Sequence, residues 1–287
     1  MKVLVTGAGG MLARAVTPAL ERAGHTVAAL TRAQLDVTDA ARVRAAVVAT
    51  RPDWACHLAA YTDVDGCETN TEHALRVNGD AAGHVAAAAR AADAAVLAIS
   101  SDYVFPGDDP RPRREDDAVG PVSAYGRSKL AGEAAVRAAN PCHLIVRTAW
   151  LYGRGGKNFV DTIRDRALAG TPLAVVDDQH GAPTWTVDLA AALVELMERD
   201  VTGTLHVTNG GACTWHEFAR EICAQVGARV EVARQSSAQL ARPAKRPAYS
   251  VLDTGRLTQA LGHGLPHWRD ALVRYVAQPV EASAKGR

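Results

Sequence analysis

The stretch KVLVTGAGGMLA, residues 2–13, constrains this chain more than any other. An apolar run ends at Gly7, further glycines follow at Gly9 and Gly10, and a helical pattern through Val16 and Leu20 begins at once. An apolar run bounded by glycine suits a buried parallel strand. Strand, glycine turn and helix N-terminus in that order make a pyrophosphate site, because the turn admits the phosphates and the helix dipole favours an anion. Gly7 allows the tight turn and Gly10 the close approach, while the third small position is Ala13. A glycine fingerprint alone is a weak signal; its place directly after the first strand strengthens it.

The runs His25–Leu30, Trp54–Leu58, Ala95–Ile99 and His143–Arg147 read as further strands. A long helix over about Glu72–Ala92 and another from about Ser123 lie between them. This alternation predicts an α/β fold, a doubly wound parallel sheet of the Rossmann kind, with its site at the carboxyl ends of the strands. Ser101, Tyr125 and Trp150 all fall at or just beyond such ends. AAYTDVDGCE reads as a loop over the nicotinamide side. The stretch Pro106–Pro121, rich in proline, aspartate and arginine, is long for a connection and reads as a lid. Beyond Trp150 the pattern is irregular, with helices expected at Phe159–Ala169, Val187–Arg199 and Trp215–Val226 and strands at Gly203–Val207 and Val230–Ala233. The expected division is a dinucleotide-binding domain of 1–149 with 184–208 and a smaller α+β substrate lobe of 150–183 with 209–276. Residues 277–287, small and polar, are expected to form a disordered tail.

Tyr125 and Lys129 are four apart, so on a helix they share one face. Chance gives roughly 0.1 such pairs in a chain of this composition, so the spacing is suggestive. The chain has five lysines against 27 arginines, and a lysine here implies a need for a compact ammonium. Free tyrosine ionises near pH ~10, and a close ammonium favours the phenolate. A shift of about three units needs roughly 4 kcal/mol of differential interaction. The competing reading is a surface helix with a half-buried tyrosine and a solvated lysine.

A ribose with a free 2′-hydroxyl favours an acidic residue about 20 positions after the glycines. Arg32 stands there instead and suits a 2′-phosphate as well as it suits an ordinary strand end. Asp36 is placed either to reach the adenine edge or to cap the helix that follows from Asp39.

The net charge is +1 and no basic stripe stands out, which argues against nucleic acid as a partner. No apolar run approaches the ~18 residues of a membrane span. The opening MKVLVTGAGG enters strand and turn directly and leaves no room for a signal peptide. The five cysteines form no C-x-x-C and read as reduced thiols of a cytoplasmic protein, with Cys56 and Cys142 as small hydrophobes in strands. The histidines lack metal-ligand spacing.

Across nearly the whole chain the stretches GAGGMLA, LDVTD, RPDWACHLAAYTDVDGCE, VNGDAAGHVA, SSDYVFPG, SAYGRSKLAGE, RTAWLYG, NFV, DDQHGAPTW and RPAYSVLDT resemble the extended short-chain dehydrogenases/reductases that act on nucleotide sugars. Within that group they resemble the dTDP-4-dehydrorhamnose reductase family. The resemblance implies NADPH or NADH as cofactor. It implies reduction of the 4-keto group of dTDP-4-dehydro-6-deoxy-L-mannose to dTDP-L-rhamnose. Tyr125 would donate the proton, Lys129 would hold the nicotinamide ribose and lower the tyrosine pKa, and Ser101 would hydrogen-bond the keto oxygen or the phenol. The family usually has threonine at that place; serine keeps the hydroxyl and loses the methyl that fixes its rotamer. Asp102 and Trp150 would contact substrate, and Asn158, Arg242 and Arg246 are candidates for the sugar diphosphate. Gly10, Met11 and Leu12 would line the pyrophosphate turn, Asp36 and Val37 the adenine, and Ala59, Ala60 and Tyr61 the ribose and nicotinamide side.

Magnesium has been described in members near a dimer contact. The C-terminal HWRDALVRYV offers no matching carboxylate cluster, so no metal is expected, while a homodimer remains open. Two other readings stand beside this one: a 4-ketoreductase on another dTDP-deoxysugar, such as one forming dihydrostreptose, and a non-catalytic subunit similar to the regulatory subunit of methionine adenosyltransferase. Intact Ser101, Tyr125 and Lys129 argue against the latter.

Overall fold

In the computed structural model, which describes residues 1–279, Val3, Leu4 and Val5 are wholly buried in the first strand, β1 (Lys2–Thr6). The chain turns into α1 (Ala13–Arg22) and continues through β2 (Thr26–Leu30), α2 (Ala40–Thr50), β3 (Trp54–His57), α3 (Val64–Thr69) and α4 (Thr71–Ala74). A π-helical turn, Leu75–Asp80, joins α4 to α5 (Ala81–Ala91). Then come β4 (Ala95–Ser101), a short 3-10 turn (Asp102–Val104), α6 (Ala124–Ala139), β5 (His143–Thr148), β6 (Leu151–Tyr152) and α7 (Phe159–Leu168). The remainder is β7 (Leu173–Val176), β8 (His180–Gly181), β9 (Thr184–Trp185), α8 (Thr186–Glu198), β10 (Gly203–His206), β11 (Cys213–Thr214), α9 (Trp215–Gln225), β12 (Val232–Gln235), α10 (Ser237–Leu240), α11 (Gly255–Leu261) and α12 (Trp268–Val276).

Six strands form one parallel sheet in the order β10-β5-β4-β3-β1-β2. Successive residues of β1 point to opposite faces. Val3 and Val5 join a core with Val16, Leu20, Leu189 and Leu193, so α1 and α8 cover one face. Leu4 joins Val43, Val47, Val85 and Val136, so α2, α5 and α6 cover the other. With both faces buried, the strands read as continuous apolar runs, which is why the doubly wound sheet is legible in the sequence. The order reverses at β1, between β2 and β3, and the crevice above that point is where a ligand fits such a sheet.

A third core gathers Tyr152, Val160, Ile163, Phe218, Ile222, Trp268 and Tyr275 beside the sheet. Here the strands are two to four residues long and pair in twos, β6 with β9, β7 with β12 and β8 with β11. Leu257 and Leu261 of α11 pack instead in the sheet-side core, although the sequence division gave their segment to the lobe.

Several expectations need correction. Asp63 accepts from the Gly66 N–H and caps α3, so half of AAYTDVDGCE is helix. The helix expected over Glu72–Ala92 carries the π turn. Cys142 precedes β5 and is exposed, because Pro141 and Cys142 form the turn out of α6. The Pro106–Pro121 loop is tied down and is not a free lid. Arg113 bridges to Leu252, with Arg113 N–H donating to Val251 and Asp253 N–H donating to Arg113. The buried Glu115 accepts from His206 N–H. Of the expected tail, residues 280–287 lie outside the described residues, and the Gln278 carbonyl accepts from Arg154.

α6 is held at both ends. Ser123 accepts from Gly126 N–H, Glu68 accepts from Ala124 N–H, and Asn140 donates to Ala94 O and accepts from Cys142 N–H. Its inner face carries Glu133, 2% exposed, on Arg147, 3% exposed. Arg147 donates to both Glu133 oxygens at 2.8 Å, Ser100 Oγ donates to one at 2.6 Å, and Arg137 donates to the other at 2.8 Å. Removing one partner of such a pair strands the other charge in the interior. Glu133→Ala should therefore cost about 3–5 kcal/mol in urea denaturation, and Glu133→Leu with Arg147→Met markedly less. A loss below about 1 kcal/mol in the single variant would contradict this account of the core.

Candidate active site

Two adjoining clefts open above the carboxyl ends of the strands. The first, about 320 Å³, is lined by Gly7, Gly9, Gly10, Arg32, Asp36, Val37, Tyr61, His73 and Arg76 among others. The second, about 580 Å³, is lined by Met11, Leu12, Ser101, Asp102, Tyr103, Tyr125, Lys129, Thr148, Trp150, Lys157 and Trp215 among others. Leu58, Ala59 and Ala60 line both, so the two form one continuous trough across the switch point.

The trough fits a dinucleotide. Gly7 has φ +71°, and a Cβ there would lie 2.7 Å from the Ala59 backbone, so only glycine lets the turn pass under the loop after β3. At the start of α1 the N-cap, Leu12, makes no side-chain cap, and no acidic residue occupies the first turn. Arg14 N–H donates to Gly10 O and Ala15 N–H to Leu12 O, so the N–H groups of Met11, Leu12 and Ala13 are the ones left for an anion. Asp36 accepts from Thr38 N–H at 3.0 Å and Thr38 Oγ1 at 2.7 Å, which lowers its pKa, while Asp39 does the capping of α2.

The π turn shapes the catalytic side. It swings Asn78 inward, where Oδ1 accepts from Tyr61 N–H and Nδ2 donates to Tyr61 O and to Ser128 Oγ. Ser128 Oγ in turn donates to Tyr125 O at 2.7 Å. One amide thus fixes the loop bearing Ala59–Tyr61 against the helix bearing Tyr125.

Burial dominates the electrostatics. It pushes the Tyr125 phenol well above its usual range, the Asp102 carboxylate adds to that, and the Ser101 hydroxyl opposes it. Burial also pushes the Lys129 ammonium down to about 8, against the pull of Glu133 one turn on. In the chain by itself the phenol is therefore raised rather than lowered, with desolvation the largest cause; the acidic phenol expected from the sequence needed the positive nicotinamide beside it as well as the lysine. Tyr125 therefore carries its proton at pH 7. Asp102 is pushed up to about 6 by burial, with hydrogen bonds from Ser250 and Ser101 opposing. Ser101 Oγ donates to Asp102 Oδ1 at 2.8 Å, and Asp102 Oδ2 has no partner among the described residues. His57, hydrogen-bonded to Thr6, is held neutral by burial and by Lys129, down to about 3.

Three expected substrate residues lie elsewhere. Asn158 caps α7; its amide donates to the Gly153 and Gly156 carbonyls and to Asp161, and Oδ1 accepts from Asp161 N–H. That engagement turns it away from the trough, whose edge is formed by Gly156 and Lys157. Arg242 and Arg246 donate to Asp65 of α3 and line a separate cleft with Gln179 and Lys245. Sequence reasoning missed Asn78, Tyr103, Lys157 and Trp215. An asparagine and glycine inside a helical run was the visible trace of the first, and Tyr103 sits in SSDYVFPG beside the residues that were chosen; nothing local marks Lys157 and Trp215, which the lobe brings in. No group of three or more histidine, cysteine, aspartate or glutamate side chains placed to hold a metal occurs among the described residues.

A parallel sheet with a glycine turn at its switch point and a Tyr-x-x-x-Lys helix lining the cleft beside it defines the short-chain dehydrogenase/reductase class. Within it, the chain belongs to the RmlD substrate binding domain family, which matches residues 1–280. It is 50% identical over 277 residues to dTDP-4-dehydrorhamnose reductase of Streptomyces griseus, covering 94% of this chain and 91% of that one. It is 41% identical over 274 residues to dTDP-4-keto-6-deoxy-D-glucose reductase of Streptomyces niveus, covering 94% and 95%. The crystal structure of dTDP-4-dehydrorhamnose reductase from Bacillus anthracis in complex with NADP superposes with a TM-score of 0.94 at 35% identity, covering 96% of this chain and 98% of that chain. No described helix is long and apolar enough to cross a membrane.

The lysine supplies a direct check. Its ammonium should titrate near pH 8 when followed by NMR of a labelled methyl-lysine, and in Glu133→Gln the midpoint should fall, because the carboxylate that favours the charge is gone. A midpoint near the ordinary ~10.4 would contradict a desolvated Lys129.

Proposed function

We propose that this chain is an NAD(P)H-dependent 4-ketoreductase that converts dTDP-4-dehydro-6-deoxy-L-mannose to dTDP-L-rhamnose. The observation that carries the reading is the placement of Tyr125 and Lys129 in the trough that continues into the glycine turn. The names of the relatives supply the substrate class.

The nicotinamide supplies the hydride. Gly7, Gly10, Met11 and Leu12 hold the diphosphate, Arg32, Asp36 and Val37 the adenosine end, and Ala59, Ala60 and Tyr61 the turn toward the reacting ring. Lys129 holds the ribose beside it. Hydride adds to sugar C4, the C=O electron pair moves to oxygen, and Tyr125 gives its proton to that oxygen. Burial keeps the phenol protonated until that moment. The phenolate left behind is stabilised by the Lys129 ammonium, its neighbour one turn along α6. Ser101 orients the keto oxygen from the end of β4, and Asp102 and Trp150 face the sugar. Arg242 and Arg246 are a source of charge for the sugar diphosphate only if they exchange Asp65 for it.

Tyr125→Phe removes the proton and little else. Turnover of the dTDP-4-keto sugar, followed by loss of reduced-nicotinamide absorbance, should fall by about two orders of magnitude or more while cofactor Kd changes less than about threefold. A variant with near wild-type turnover would refute the acid role. Running other dTDP-4-keto sugars alongside separates this reading from that of a sibling ketoreductase.

A further inference from the structure

Trp150 has φ 46°, in the left-handed region that large L-residues rarely adopt. Its surroundings hold it there. Its indole stacks on Trp215 with ring centroids 3.5 Å apart and planes 7° from parallel. Trp215 in turn meets Phe159 at 4.6 Å, inclined by 55°. Gly181 leaves the room: a Cβ built there would lie 2.3 Å from Trp150 Cε2. The two supports share one ribbon, since Gly181 of β8 pairs with Cys213 of β11 and Trp215 opens the helix that follows. That helix start is rigid. Thr214 and Glu217 close a capping box, and Thr214 Oγ1 donates to Asp177. Both indoles line the catalytic cleft.

We infer that Trp215 is a positioning residue that acts through Trp150. With Gly181 beneath, it clamps the Trp150 indole in a strained backbone setting, so that a fixed aromatic wall orients the sugar nucleotide against Tyr125. The inference rests on the reading of this cleft as the sugar-nucleotide site. A wall held before binding loses no rotamer freedom on binding, and its benefit falls on substrate affinity rather than on the cofactor. The strained residue sits at the site while its support comes from the lobe, the usual arrangement for stored strain.

The test uses the full chain with NADPH and the dTDP-4-keto sugar. Trp215→Ala should raise KM for the sugar about tenfold or more, with kcat within about threefold and NADPH Kd within about twofold. Trp215→Phe, which keeps a stacking ring, should stay within about threefold of wild type. Gly181→Ala, which displaces the indole without touching Trp215, should reproduce the KM effect. In a Trp150→Ala background, Trp215→Ala should add nothing, as expected when one residue acts through another. The near-UV circular dichroism of the stacked indoles should be lost in Trp215→Ala and in Trp150→Ala. An unchanged KM in Trp215→Ala, a multiplicative double variant, or equal losses in NADPH and sugar affinity would overturn the proposal. Should Trp215→Ala fail to fold, an unchanged KM in Gly181→Ala overturns it alone. A wild-type chain that neither reduces dTDP-4-keto sugars nor binds dTDP-rhamnose refutes the underlying reading. Activity with an unresponsive Trp215 refutes only this inference.

Discussion

Desolvation along the inner face of α6 is the constraint on which the rest depends. That face carries Lys129 and Glu133 into the interior and leaves Tyr125, about two turns before Glu133, half-buried at the edge of the cleft. A buried ammonium and a buried carboxylate are tolerable only because they sit near each other and because Arg147, Arg137 and Ser100 satisfy the carboxylate. The balance brings Lys129 down to about 8, still an ammonium at pH 7, and leaves Tyr125 protonated, which suits one group to give a proton and the other to stabilise the phenolate left behind. The same network reaches outward. Arg147 donates to Glu115 O, and Glu115 accepts from His206 N–H, so the long loop after β4 is fastened to the far edge of the sheet. A segment that reads as a lid becomes part of the frame.

Above that frame the site has two suppliers. The sheet gives the glycine turn, the loop after β3 and the ends of β4 and β5, all fixed by parallel register. The lobe gives Trp215 and Lys157 and the floor under Trp150. The cofactor end is thus built by backbone geometry and small residues, and the opposite end by aromatic side chains. The first arrangement is generic to the fold; the second is where a particular sugar can be chosen.

The parts legible in the sequence were those set by local periodicity. Residues 3–5, 54–56 and 144–146 are buried on both faces and read as apolar runs, and Gly7 marks the turn whose φ demands it. Tyr125 and Lys129 could be paired from their spacing alone because a helix places i and i+4 together. Charge state was not legible, since the depth of burial depends on α5 and the sheet, which lie far away in sequence. The family resemblance made Asn158, Arg242 and Arg246 candidate ligands, yet a helix cap and Asp65 engage them. Trp215 carried no local mark, because its meaning lies in a stack with a residue 65 positions earlier.

Function rests on one meeting point, where the Tyr125 phenol faces a sugar carbonyl across from a bound nicotinamide. A crystal structure of the chain with NADP and the dTDP-sugar tests it most directly. It should place the sugar 4-oxygen within about 3.2 Å of Tyr125 Oη and sugar C4 about 3.5 Å from the hydride-bearing carbon. A sugar bound with its 4-oxygen turned away from Tyr125, or a nicotinamide lying outside the cleft that holds Lys129, would contradict it.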